Sequence, residues 1–296
     1  MRKFLLKTKS LALLVFTFMV ISSAQAKVIS EERSLYRNIL VDEQGDLRCL
    51  KFSVKRKTSS QSCINMASPD TLVFDYTKYM MAALVFHPNP KRVLIIGLGG
   101  GTLSNTLAQM YPGIVIDNVE IDPAVIKVAR KYFDFRESEQ VKSYPQDGRI
   151  FIKRALRKEQ QYDVVILDAF NGEYIPEHLL TKEFLQETQG VLSENGVLIA
   201  NTFSSSKLYD HETATYHAVF GSFYEIEKGF KRGNRVIVAT NNSKSRDVSK
   251  AIEQLKISLR PYGVDINTVL ALMELNDDVD EDVRVLTDQY SPANLL

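Results

Sequence analysis

The chain has 296 residues and a formal net charge of +1, which becomes −3 once the four basic residues among its first 26 are set aside; this leaves no electrostatic case for nucleic acid. About 270 residues then remain, enough for one substantial α/β domain and a small accessory piece. Two cysteines and four scattered histidines lack the spacing of a metal site.

Met1–Ala26 reads as a secretory signal peptide. Arg2, Lys3, Lys7 and Lys9 form a basic start, Leu11–Ile21 is uncharged and apolar, and Ala24-Gln25-Ala26 is a cleavage site. The apolar stretch is short for a membrane span. The expected location is therefore periplasmic or secreted, with no membrane contact after cleavage; an uncleaved signal anchor is the alternative.

Residues 27–77 read as a small N-terminal antiparallel β domain, with strands at Arg37–Val41, Leu47–Phe52, Gln61–Met66 and Leu72–Phe74. A hairpin centred near Arg56 puts Cys49 opposite Cys63. After export these two form either a cross-strand disulfide or a pair of buried thiols.

Residues 78–296 alternate between helix and strand. Tyr79–Phe86 is apolar at helical spacing. Strands follow at Arg92–Ile96, Val115–Glu120, Val141–Tyr144, Tyr162–Leu167 and Gly196–Asn201. Helices fall between them at Leu103–Met110, Ala124–Tyr132, Ile150–Leu156 and Lys182–Leu192. A helix at Tyr209–Phe220, a hairpin from Phe223–Glu227 and Asn234–Ala239, and helices at Val248–Arg260 and Val264–Leu275 complete the chain. The expected fold class is α/β: a doubly wound, mostly parallel Rossmann-like sheet behind the β domain.

The chemistry concentrates at Arg92–Asp122. An apolar strand runs into a turn containing Gly97, Gly99 and Gly101. A helix and a second strand ending in Glu120 follow. Glycines let backbone approach a ligand closely, and an acid about 20 residues on can accept hydrogen bonds from both ribose hydroxyls. Asp147 and Asp168 end two further strands, where ligands of open parallel sheets bind. Asp147 is placed to accept from an adenine amino group, and Asp168 to face the reactive part of the ligand. His178, His211 and His217 read as surface residues.

These motifs, together with Gln146-Asp147-Gly148, Tyr162–Asp168 and Leu286-Thr287-Asp288, resemble those of spermidine synthase-like proteins, the polyamine aminopropyltransferases. The resemblance covers roughly residues 35–296. It implies a class I methyltransferase-like Rossmann fold and decarboxylated S-adenosylmethionine as a cosubstrate, with no tightly bound cofactor. It implies a small amine as acceptor, and often a homo-oligomer. By carry-over Glu120 holds the ribose, Asp147 the adenine, and Gln61 lines the substrate channel. Asp168, helped by Tyr76, accepts the amine's proton.

The sequence departs from the family pattern in three places. Gly100 replaces the aspartate that holds the donor's aminopropyl end. Tyr76-Thr77-Lys78 replaces Tyr-His-Glu, and Asn171 replaces a second aspartate, with Glu173 a conceivable substitute. Polyamines are multiply cationic, so each lost acid removes part of their electrostatic handle. An S-adenosylmethionine-dependent methyltransferase and an exported, non-catalytic nucleoside- or polyamine-binding protein therefore stand beside aminopropyl transfer.

Overall fold

The computed structural model of the chain describes residues 26–54, 57–170, 174–227, 233–241 and 248–290. The expected leader up to residue 25, the hairpin centre near Arg56, Asn171 and Glu173 lie outside these residues.

Two sheets organise the described chain. The first is an antiparallel meander of β1 (Lys27–Arg33), β2 (Asn38–Gln44), β3 (Leu47–Val54) and β4 (Lys57–Asn65), in that spatial order. Cys49 lies directly opposite Cys63 in the β3–β4 ladder, and the two are joined by a disulfide. β1 had no sequence signal, because KVISEER buries neither face and so shows no alternation. The segment at Leu72–Phe74 is not a strand: Leu72 is buried and its N–H donates to Tyr262 O.

A helical run comes next, α1 (Asp75–Tyr79), a 3₁₀ turn at Met80–Ala82 and α2 (Ala83–Phe86). The second sheet is then built in order from β5 (Arg92–Ile96), α3 (Thr102–Met110), β6 (Val115–Glu120), α4 (Pro123–Tyr132), β7 (Val141–Pro145), α5 (Gly148–Arg157), β8 (Tyr162–Leu167), α6 (Lys182–Gly190) and β9 (Leu192–Phe203). It closes with α7 (Tyr209–Phe220), β10 (Phe223–Glu227), β11 (Asn234–Thr240), α8 (Ser249–Ser258), α9 (Ile266–Ala271) and β12 (Met273–Asn276). Strand order is β12-β10-β11-β9-β8-β5-β6-β7. The five strands from β9 to β7 run parallel, and β10, β11 and β12 pair antiparallel. The last expected helix is thus shorter than Val264–Leu275, because the open edge of β10 takes its second half as a strand through backbone hydrogen bonds.

Helices cover both faces of this sheet, which explains why β5 and β8 are nearly all apolar. The meander packs Ile39, Val41, Leu50 and Phe52 onto Val125 and Val128 of α4. Chain order reverses around β5, whose neighbours are β6 and β8. A crevice forms at the carboxyl ends of strands at such a switch point. Among the described residues no helix is long and apolar enough to cross a membrane.

Candidate active site

Three strand ends converge at the glycine turn. Gly97 N–H donates to Val119 O at 2.8 Å, and Asp168 N–H donates to Ile96 O at 2.8 Å. Gly97 has φ +93°, and a Cβ there would stand 2.2 Å from the Asp168 carbonyl oxygen. Only glycine lets β5 and β8 close this tightly. Glu120, at the end of β6, folds back on the same turn. Its Oε2 accepts from Leu98 N–H at 3.1 Å and its Oε1 from Asp122 N–H at 3.0 Å. Burial raises the Glu120 pKa, while these two donors and the nearby Arg37 charge pull it back down.

A cavity of about 240 Å³ opens at this point. Gln61 of β4 and Tyr76 of α1 line it beside Gly97, Gly99, Glu120, Asp147 and Asp168. Gly101 is the one predicted site residue set apart. It takes a left-handed conformation (φ +78°) as the N-cap of α3, and a Cβ there would stand 2.6 Å from the Phe135 ring. Its need for glycine is a packing need behind the turn.

Asp168 is half-buried and held at both oxygens. Oδ1 accepts from Asn201 Nδ2 at 2.8 Å and Oδ2 from Tyr76 Oη at 3.3 Å. Asn201 is itself oriented by Asn234 Nδ2, which donates to its Oδ1 at 2.9 Å. Burial pushes the Asp168 pKa up to about 7 against the pull of these hydrogen bonds, and the Glu120 charge adds to the rise. The Tyr76 hydroxyl is driven well above its ordinary range, by burial first and by the Asp168 charge second. Tyr76 therefore keeps its proton and donates to Asp168; of the expected pair, Asp168 is the member able to take a proton.

Asp147 has two partners. Its Oδ1 caps α5 by accepting from Ile150 N–H at 2.9 Å, and its Oδ2 lies 2.8 Å from His178 Nε2. The hydrogen bond to His178 is the main cause that lowers its pKa. His178 is exposed, as expected, and it also lines the cavity. One residue on, Arg149 ties this corner down. It pairs with Glu187 of α6 at 2.8 Å and with Asp288 at 2.7 Å, and its Nη1 donates to His178 O at 3.4 Å.

Sequence reasoning missed Arg37, Asn201 and His178 as site residues. Arg37 lines the cavity, stacks over Phe52 at 4.2 Å, and donates from Nη1 to Phe170 O at 3.1 Å. Its turn is pinned to the larger sheet, because Ser34 Oγ donates to Asp122 Oδ2 at 2.5 Å while the Tyr36 and Arg37 N–H groups donate to Ser34 Oγ. Gly100 is packed rather than open: a Cβ would meet Ser62 Oγ at 2.8 Å and the Phe133 ring at 3.0 Å. Phe170 borders the cavity. Tyr209 lies elsewhere, against Arg235 at 4.0 Å. Among the described residues no group of three or more His, Cys, Asp or Glu is placed to hold a metal ion.

A half-buried carboxyl with its pKa pushed up to about 7, in a cavity shared with two further acids, is equipped to take a proton. The profile of the spermine/spermidine synthase domain covers residues 73–226. The chain is 47% identical over 288 residues to the polyamine aminopropyltransferase of Vibrio vulnificus, spanning 96% of each protein. It is also 30% identical over 238 residues to the eEF1A lysine and N-terminal methyltransferase of Xenopus laevis, covering 74% of this chain and 34% of that protein. The crystal structure of a probable spermidine synthase from Corynebacterium glutamicum has the same fold, with a TM-score of 0.70 at 19% identity over 90% of this chain and 98% of that one. This is the class I methyltransferase-like fold preceded by an antiparallel sheet, and the chain belongs to the spermine/spermidine synthase family.

Proposed function

We propose that the protein transfers an aminopropyl group from decarboxylated S-adenosylmethionine to a small amine. The observation that carries this reading is Asp168, half-buried between Tyr76 and Asn201 and facing the same cavity as Glu120 and Asp147. Glu120 accepts from the ribose hydroxyls, and Arg37 can donate to their lone pairs. Asp147, steadied by His178 and by its cap on α5, takes the adenine amino group. The adenosyl donor is consumed in each turnover, so no tightly bound cofactor enters.

The acceptor amine starts protonated. An alkyl amine has a pKa near 10.4, so freeing its lone pair at neutral pH costs about three units, or ~4 kcal/mol. A carboxylate raised to about 7 is a stronger base than an exposed one, and burial of the amine lowers its own pKa. As Asp168 takes the proton, the nitrogen attacks the carbon beside the sulfonium. The new C–N bond forms, the C–S bond breaks with its electron pair passing to sulfur, and neutral methylthioadenosine leaves. Alignment of the two reactants in one cavity supplies much of the remaining acceleration.

The test is a product assay with the purified protein and a panel of alkyl mono- and diamines. Methylthioadenosine is expected. Asp168→Asn should lower turnover by about 10²–10⁴-fold while methylthioadenosine still binds; unchanged turnover rejects the role of Asp168. Methyl transfer from S-adenosylmethionine is the second reading, favoured by the missing acid at Gly100, and S-adenosylhomocysteine would mark it. The basic–apolar–AxA leader supports export to the periplasm or beyond, and so does the Cys49–Cys63 disulfide. Retention as a signal anchor is the variant of that reading which fractionation of cells would separate.

A further inference from the structure

A recess of about 20 Å³ adjoins the cavity. Gln61, Tyr76, Gly97, Gly99 and Asp168 line both, so the two spaces share a wall. Two more of its lining residues, Ser104 from the first turn of α3 and Asn118 from β6, are 1% and 0% exposed. Among the described residues Ser104 Oγ and Asn118 Oδ1 have no hydrogen-bond partner. Buried oxygens in that condition are uncommon and costly, and here two of them border one small space. The Asn118 amide has only one sensible orientation. Its Nδ2 donates to Lys142 O at 3.2 Å, which leaves Oδ1 as a pure acceptor.

The recess has room for one water-sized group. An alkyl ammonium end is that size, and it carries three N–H donors and no acceptor. The positive end of α3 disfavours a cation nearby, so side-chain oxygens have to supply the attraction. Hydrogen bonds from a charged donor are about twice as strong as neutral ones. Asp168 is the only carboxylate bordering the recess among the described residues, and in the proposed reaction it is committed to the acceptor amine.

We propose that Ser104 Oγ and Asn118 Oδ1 seat the terminal ammonium of the donor's three-carbon arm. This rests on the reading of the cavity as an adenosyl-donor site, and it supplies what position 100 no longer does. The ammonium occupies the same place along the arm in S-adenosylmethionine, so the seat does not depend on whether the donor retains its carboxylate.

The experiment is calorimetric titration of the wild type, Ser104→Ala and Asn118→Leu with decarboxylated S-adenosylmethionine, S-adenosylmethionine and methylthioadenosine. The last has no arm, so its binding reports an intact fold and nucleoside site. Each substitution should weaken decarboxylated S-adenosylmethionine by about 10–100-fold, as expected for one charge-assisted hydrogen bond, with methylthioadenosine within two-fold of wild type. If Asn118→Leu fails to fold, Ser104→Ala decides alone. Parallel loss of both ligands, or loss of neither, overturns the seat. A wild type that prefers S-adenosylmethionine, with the preference still weakened by Ser104→Ala, overturns aminopropyl transfer and upholds the seat. A wild type that binds none of the three overturns both.

Discussion

Asp168 owes its base strength to opposing influences that can be removed one at a time. Burial raises its pKa, and the hydrogen bonds from Asn201 and Tyr76 restrain the rise. Tyr76→Phe removes one restraint without changing the cavity's volume much. With Asp168 as the proposed base, activity should fall as pH drops through about 7 in the wild type. The variant should move that acid limb to higher pH and lose about ten-fold in turnover near neutrality, less than the 10²–10⁴-fold of a group that itself transfers the proton. A pH–rate profile with an unmoved limb rejects the coupling. Asp168, Glu120 and Asp147 could be picked out in the sequence because each follows or ends a strand of the parallel sheet, although only the strands before Asp168 and Glu120 are largely apolar. Their partners could not. Asn201 lies 33 residues from Asp168, His178 lies 31 from Asp147, and Arg37 lies 133 from the Phe170 carbonyl it grips. Only the sheet order brings these together, and no local pattern encodes it.

The element that most affects the cavity without belonging to the main sheet is the β1–β4 meander. It contributes Gln61, Arg37 and Tyr36, and its own stability is helped by the Cys49–Cys63 cross-link. Closing a loop of this length is worth ~3 kcal/mol in the chain-entropy account. Replacing both cysteines by serine should lower the thermal midpoint and weaken methylthioadenosine binding, and thiol reductant should do the same to the wild type alone. Equal midpoints in oxidised and reduced protein would show that the meander is held by its packing on α4. The hairpin register was readable because the two cysteines sit symmetrically about a basic turn. β1 and β12 were unreadable for the opposite reason. Both are edge strands whose residues are largely exposed, and they are selected by an open neighbouring edge instead of by their own alternation.

Across the whole molecule, acids withdrawn from water set a pH dependence of stability. Asp168 and Glu212 are both raised to about 7, chiefly by burial. A carboxyl whose folded pKa lies above its unfolded value stabilises the fold below the unfolded value, near pH 4, and loses that contribution as pH rises through 7. The wild type should therefore resist denaturant better at pH 5 than at pH 8 as far as these groups are concerned. Asp168→Asn removes one of the two losses. It should gain about 2–4 kcal/mol over the wild type at pH 8, with the difference shrinking toward pH 4, while turnover collapses. A urea series at the three pH values checks this, and a variant less stable at pH 8 sinks it.

Arg149 sets an order in time. Asp288 leaves the ribosome some 140 residues after Arg149, so during most of synthesis the guanidinium faces Glu187 alone. The corner of β7 and α5 that carries Asp147 and leans on His178 is strapped only when residue 288 arrives. A nascent chain can thus form much of its sheet while the wall of its cavity is still unfinished, and a chain broken off before residue 288 would keep the scaffold but not this strap.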